Sequence, residues 1–179
     1  TNTQVVEPLR LSYGETVLLA PPPPTQGVTT LAIMGVLAHP LPADKAVDSA
    51  SYYHLLVEAV KQAFRDRHLI ADPAFGDDVS GALLDPDRLA GKAGAIDPTR
   101  AAAWAHPYRQ GDTSFLAAVD SRGRAASMLQ SIYFDWGSGV VAGDTGILWQ
   151  NRGAAFSIDP ISPNRFGPGR RPFYTLNPG

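Results

Sequence analysis

Cysteine is absent from all 179 residues. That excludes disulfides, thiolate metal sites and a cysteine nucleophile together. It leaves the compartment open, because a chain without thiols works in either redox setting. Basic excess is absent too. The net charge is −2, which removes the electrostatic case for nucleic acid or an anionic membrane surface as a partner. No apolar run approaches the length of a membrane span, and no charged-then-apolar start reads as a signal peptide. Charged residues make up only 18% of the chain against 44% apolar, a balance that suits a globular domain with a real core. What the chain does have is 16 Pro and 17 Gly, which predicts a loop-heavy fold. Both ends, "TNTQVVEP" and "FYTLNPG", lack a closing helix or strand, and the expectation is a piece excised from a longer protein.

Along the chain, 4–11 and 15–20 read as extended segments joined by a turn at Tyr13 and Gly14, with Pro8 placing the first on a sheet edge. "PPPPTQG" predicts a stiff polyproline strut released at Gly27, followed by a short helix over 29–37. The clearest element is "SASYYHLLVEAVKQAFRDRHL". Tyr52, Leu55, Leu56, Ala59, Val60, Ala63 and Phe64 recur at three and four residues, one apolar face of a helix. Asp48 or Ser49 caps its start, and Lys61, Arg65, Asp66 and Arg67 fall on the wet side or in the last turn. Asp-Pro pairs at 72–73, 85–86 and 97–98 suit turns or helix starts. "DPDRLAGKAG" reads as a short helix, and "AAAWAHPYRQGD" as a linker. After it, 114–120 and 125–134 form a hairpin about a polar turn, and the Pro- and Gly-rich remainder predicts loops. Helices followed by sheet give an α+β class.

Few patterns carry chemistry. His54 and Glu58 share a helix face, but no HExxH pattern is present, so His54 borders the core or pairs with Glu58 and no metal site is expected. The glycines of "GSGVVAG" miss the dinucleotide spacing and instead let backbone approach something closely. No GxSxG elbow is present. Gly-Asp-Thr-Ser at 111–114 has two readings. It is a turn in which Asp112 bonds the next amides, or it is a scissile bond with Thr113 as nucleophile. A threonine hydroxyl needs a base. An N-terminal threonine carries one in its α-amine, whose ordinary pKa is about 7.7–8.0. On these residues alone both readings stay open.

The order of segments resembles the γ-glutamyltranspeptidase family of N-terminal nucleophile hydrolases nearly end to end. "PPPPTQG", "YYHLLVEAVKQAFRDRHLIADPAF", "GDTSFLAAVDSRGRAASMLQSIYFDWGSGVV", "TGILWQNR" and "GPGRRPFYTLNP" are similar to family segments in the family's order. The resemblance implies part of a four-layer αββα sandwich, with 1–112 ending the large-subunit-like region and 113–179 starting the small one. It implies self-cleavage between Asp112 and Thr113, Thr113 as the nucleophile and Ser131 as its supporting hydroxyl. A hairpin turning near 121–124 would bring residue 131 back towards 113. Tyr174 and Thr175 fall where the family places two serines of the substrate pocket. The implied partners are a small-molecule amide, of γ-glutamyl or glutathione type, and a water or amine acceptor. No cofactor is implied. Many relatives are periplasmic or secreted, a cytoplasmic setting is possible, and the compartment stays open.

Three positions depart from the pattern. Ala155 stands where an acidic residue grips the substrate's ammonium, Arg152 where a glutamine stands, and Tyr133 where an asparagine contact stands. Arg152 would repel an ammonium and attract a carboxylate. An amide acylase of cephalosporin-acylase type, or a non-catalytic scaffold, are therefore the alternatives. The family's oxyanion-hole glycines lie downstream and its carboxylate-binding arginine upstream. The expectation is that residues 1–179 alone are nearly inactive and expose apolar faces that promote self-association.

Overall fold

The computed structural model describes residues 5–40, 46–104 and 113–177. The chain opens with a hairpin, β1 (Leu9–Tyr13) against β2 (Thr16–Ala20), in the register Leu9↔Ala20 to Tyr13↔Thr16. Gly14, at φ +58°, supplies the left-handed turn. The prolines that follow do not run as a straight strut. Thr25 N–H bonds the Pro22 carbonyl at 3.2 Å, so the run closes into a turn, half-buried to buried, and delivers Gly27 to the start of α1 (Gly27–Ala38).

Helix α1 is apolar on nearly all sides, and such a helix must be covered on more than one. It packs on α2 (Ala50–Phe64) and α4 (Pro86–Gly94) on one side and on β1 and β2 on another. The main core lies in the three-helix junction, where Ala32, Val36, Leu55, Ala59, Ala63, Leu89, Ala93 and Ile96 meet. Small residues set close approach, and a Cβ on Gly35 would lie 2.6 Å from Leu89 Cδ1. A second cluster joins Val28 to Ile70 and to Leu83 of the short α3 (Ser80–Leu83).

Caps follow the sequence closely. Ser49 Oγ accepts Tyr52 N–H at 3.0 Å, and Asp85 accepts Arg88 N–H at 3.0 Å with Pro86 in the first turn of α4. Two expectations for α2 narrow to one of their alternatives. Lys61 lies in the last turn and not on the wet side. It is buried, with Nζ 2.7 Å from Glu58 Oε1 and 2.7 Å from the Ala102 carbonyl, while Glu58 accepts Ala102 N–H. His54 does not pair with Glu58, and its Nε2 lies 2.7 Å from the Asp97 carbonyl. A long lysine can carry its charge inward when a carboxylate and a carbonyl await it, and no periodicity reports that.

The second hairpin joins β3 (Ser114–Val119) to β4 (Ala125–Gln130). Asp120 makes its turn: Oδ1 accepts the amides of Arg122 and Arg124 at 2.9 and 3.0 Å, and Gly123 takes φ +77°. β4 stops at Gln130 rather than at 134, because Tyr133 turns to φ +82°. Every β3 residue is exposed, Phe115 and Val119 among them. The α+β class stands, with two separate hairpins beside a helical body among the described residues.

Candidate active site

The mouth of the second hairpin is set by its register. The last paired positions are Ser114↔Gln130. One step outward, beyond the paired strands, Thr113 and Ser131 are the next residue on each side. Asp112 lies outside the described residues, as does the bond before Thr113. Ser131 Oγ accepts Tyr133 N–H at 2.9 Å. That bond turns the chain out of β4 and holds Tyr133 in the left-handed region, an uncommon conformation for a bulky residue.

The segment after β4 is clasped by the loop that follows. Asn151 N–H bonds the Ile132 carbonyl at 3.1 Å, and Asn151 Oδ1 accepts Phe134 N–H at 3.1 Å. The glycine-rich stretch folds on itself. Ser138 N–H bonds Trp149 O at 2.9 Å, and Trp149 N–H returns to Val140 O at 2.8 Å. Gly137, at φ +53°, sits directly over the Trp149 carbonyl, where a Cβ would collide. The close approach expected of these glycines is therefore to the chain's own backbone.

This clasp places Arg152 beside Tyr133. Arg152 is 4% exposed. Its guanidinium carbon lies 5.4 Å from the Tyr133 ring centre and 5.5 Å from that of Tyr174. Nη1 donates to Thr175 Oγ1 at 3.3 Å, and its backbone N–H makes a short bond to Gln150 Oε1. Nη2 has no hydrogen-bond partner. Burial pushes the guanidinium down from its ordinary value, against the opposing pull of the two tyrosines, but an arginine keeps its proton throughout. Ala155 closes the short turn Arg152–Ala155, and its carbonyl accepts Asn164 Nδ2 at 2.5 Å. No acid stands there.

Tyr174 and Thr175 are delivered by the far end of the chain. Tyr174 N–H bonds Pro24 O at 2.7 Å, and Gln26 N–H bonds Tyr174 O at 2.7 Å. The proline turn is thus the dock for the 172–175 segment. A second tie lies nearby. Asp72 accepts Arg171 N–H at 2.9 Å, Nε at 3.2 Å and Nη2 at 2.7 Å. Arg67 adds a third. It bonds Gln26 Oε1 at 3.2 Å and lies over the Phe64 and Phe173 rings.

The structure thus gathers Tyr133, Arg152, Tyr174 and Thr175 into one cluster. Ser131 joins it through Tyr133, and Thr113 lies one residue before the first pair of the same hairpin. Sequence reasoning missed Asp72, Arg171, Pro24 and Gln26 as supports. The Asp-Pro pair at 72–73 signalled a cap, which exists, but nothing local tells of a partner 99 residues away.

The chain matches known proteins along nearly its whole length. A family model described as gamma-glutamyltranspeptidase matches residues 2–179. The chain is 46% identical over 173 residues to the oxamate amidohydrolase proenzyme of Klebsiella pneumoniae, covering 96% of this chain and 32% of that protein. It is 40% identical over 172 residues to the glutathione hydrolase-like YwrD proenzyme of Bacillus subtilis, covering 96% and 33%. The solved cephalosporin acylase of Bacillus halodurans superposes with a TM-score of 0.76 at 30% identity, over 96% of this chain and 31% of that one. The chain therefore spans about a third of the length of these relatives.

Proposed function

This chain belongs to the gamma-glutamyltranspeptidase family, and we propose that the full protein carrying it is a self-processing amide hydrolase or acyltransferase with Thr113 as nucleophile. The fold is α+β and part of the N-terminal nucleophile hydrolase sandwich. What supports the reading is the hairpin register that ends at Ser114↔Gln130, with Thr113 and Ser131 the next residue on each strand, and the bond from Tyr133 of the Tyr133–Arg152–Tyr174–Thr175 cluster to Ser131.

In the first step, Thr113 Oγ attacks the Asp112 carbonyl carbon, the peptide bond shifts to an ester, and water opens it. Residues 1–112 then end one piece, and 113–179 begin the other. The freed α-amine of Thr113 takes the Oγ proton as Oγ attacks a substrate amide. The proton goes to the departing ammonia or amine, leaving an acyl ester. Water or a second amine takes the acyl group and restores the hydroxyl. Ser131 holds Thr113 in place by its hydroxyl. Both curated relatives are proenzymes by name, which agrees with a chain cut after synthesis.

Two substrate readings follow. An amidohydrolase or acylase for amides bearing a carboxylate is favoured by Arg152 and by the alanine at 155, and one relative is named for oxamate. A γ-glutamyl amide of glutathione type is the second reading, which the name of the other relative favours. Residues 1–179 expressed alone should self-associate through exposed apolar side chains such as Phe115, Val119 and Trp136.

Intact mass of the full protein, beside a Thr113→Ala variant, tests the nucleophile. Two pieces with a new N-terminus at Thr113, lost in the variant, are expected. One uncut mass in both proteins would leave Thr113 without its amine and favour a non-catalytic scaffold.

A further inference from the structure

Residues 97–104 have no regular structure, and only Ala102 among them is half-buried. Glu58 and residues of this segment line one cavity of about 260 Å³, so close packing does not hold the chain there. What holds it is a row of contacts along one face of α2. His54, Glu58 and Lys61 stand at i, i+4 and i+7. His54 Nε2 meets the Asp97 carbonyl at 2.7 Å. Both Glu58 oxygens accept Ala102 N–H at 3.2 Å, and Lys61 Nζ donates to the Ala102 carbonyl at 2.7 Å. Further along, the Trp104 ring lies 5.4 Å from Lys61 Nζ and 6.2 Å from the Phe64 ring. The segment thus runs beside α2 in the helix's own direction.

A buried ion pair is a weak source of stability, since apolar residues of similar volume serve as well. Glu58 is 1% exposed and Lys61 5%, and both turn to the backbone of the same residue. Ala102 gives its N–H to the anion and its carbonyl to the cation, a two-point grip that fixes position and direction together. The row also continues past Trp104. Phe64 lies 4.5 Å from the Arg67 guanidinium, which lies 5.9 Å from the ring of Phe173, the neighbour of Tyr174.

We propose that this face of α2 is a rail for the chain that leads to the bond to be cut, with Glu58 and Lys61 as positioning residues for self-cleavage. The inference rests on Thr113 as nucleophile. In that step Thr113 Oγ attacks the Asp112 carbonyl carbon, the C–N bond breaks, and the freed nitrogen takes the hydroxyl proton. Glu58 and Lys61 act through Ala102, by setting how much chain separates the nearest described hold from that bond. Eight residues, 105–112, lie between Trp104 and Thr113. With the row released, the nearest buried residue upstream is Ile96, and the intervening chain doubles to sixteen residues, 97–112. Closing a chain twice as long is about three-fold less probable. The grip fixes direction as well, so that factor is a lower bound.

The test follows self-cutting of the full protein after cell-free synthesis, by gel and intact mass, with melting temperatures read on the purified proteins. A Glu58→Leu, Lys61→Met double variant keeps an apolar pair in α2 and removes both bonds to Ala102. It should melt near wild type yet cut at least about three-fold more slowly. Once fully cut, it should turn over oxamate or glutathione, whichever the wild type takes, with unchanged kcat/KM, because turnover no longer passes through the bond before Thr113. Leu89→Ala opens a hole in the core and leaves the rail alone. It should melt earlier and cut at the wild-type rate.

A double variant that cuts at the wild-type rate would overturn the proposal. So would a Leu89→Ala protein slowed as much as the double variant, since the effect would then be one of stability. So would a fully cut double variant whose kcat/KM falls as far as its cutting rate. Should the double variant fail to fold by circular dichroism, Trp104→Ala takes its place. Trp104 is 54% exposed, so its loss spares the core while releasing the last described hold before Thr113, and an unchanged cutting rate there overturns the rail. A wild type that never cuts itself ends the nucleophile reading and the rail together. A wild type that cuts beside an equally fast double variant ends the rail alone.

Discussion

Replacing Asp72 by asparagine tests how the pocket is supported. Asp72 is buried, with 3% of its side chain exposed, and receives three bonds from Arg171 and one from Ala74 N–H at 3.2 Å. The Arg171 side-chain bonds, helped by the Arg171 and Ala74 amides and opposed by burial, hold its carboxyl at about 2 against an ordinary 3.8. A shift of that size corresponds to roughly 2.5 kcal/mol. The Arg171 side chain is 43% exposed, so solvent screening brings the expected contribution down to about 1 kcal/mol. The group is depressed in the folded state. Its stabilisation is complete above the unfolded value near 3.8, and is lost as pH falls through about 2. The asparagine side chain keeps the cap to Ala74 but surrenders the charge. The assay is hydrogen exchange in the full protein, read at the Tyr174 and Gln26 amides, whose bonds the tie to Arg171 supports. At neutral pH both amides should exchange about five-fold faster in Asp72→Asn, which is about 1 kcal/mol expressed as a rate. The difference from wild type should shrink as pH is lowered from about 4 towards 2. Equal exchange in the two proteins at neutral pH would refute the claim that this pair anchors the 172–175 segment.

Two other perturbations probe the helical body. Glu58→Gln leaves the Lys61 ammonium buried and unpaired, and should cost about 3–5 kcal/mol in urea unfolding. A Glu58→Leu, Lys61→Met double variant should regain most of that except what the Ala102 amide and carbonyl lose. A cost below about 1 kcal/mol for the single change would show that water reaches the pair. Gly27→Ala would push a Cβ into the Pro21 carbonyl, which is backbone and cannot turn aside. It should destabilise the fold by about 1–3 kcal/mol, read as a lower melting temperature, while Gly81→Ala, with open space around it, should be neutral or better in the same scan.

What could be read from the sequence was local. The three- and four-residue spacing marked α2, Ser49 and Asp85 marked the caps, and Asp120 with Gly123 marked the turn of the second hairpin. Each depends on residues within a few positions of one another. The end of β4 was misjudged because the strand pattern of Ile132 to Phe134 is overridden by two long-range bonds from Asn151. The burial of Lys61 was not legible for the same reason, since its partner carbonyl is 41 residues away. The polyproline reading failed where composition stands in for geometry, as four prolines can turn as readily as extend. In the candidate site, Thr113, Ser131, Tyr133, Arg152, Tyr174 and Thr175 were named from motif order. That Tyr133, Tyr174 and Thr175 meet around the Arg152 guanidinium is tertiary information, and no spacing within any single motif contains it.

The supports of the cluster also bear on how self-cleavage and substrate choice divide the chain. Tyr174 rests on Pro24 and Gln26, Arg171 on Asp72, and Arg152 on the clasp between Asn151 and Ile132. The first two ties join the region before Asp112 to the region after Thr113. A cut between those residues would therefore leave the two pieces held by buried hydrogen bonds and an ion pair, with the pocket shared between them. Under the proposed cleavage Thr113 would begin one piece, and the Tyr174 ring beside the guanidinium would be held by the other. In such an arrangement the cut frees the amine that chemistry needs without disturbing what recognises the acyl group. If Thr113 cuts its own chain as proposed, substitutions at Arg152 should change which amide is taken and leave that cut intact, because Arg152 is held by the clasp of Asn151 on Ile132 and Thr113 lies beside the hairpin β3–β4.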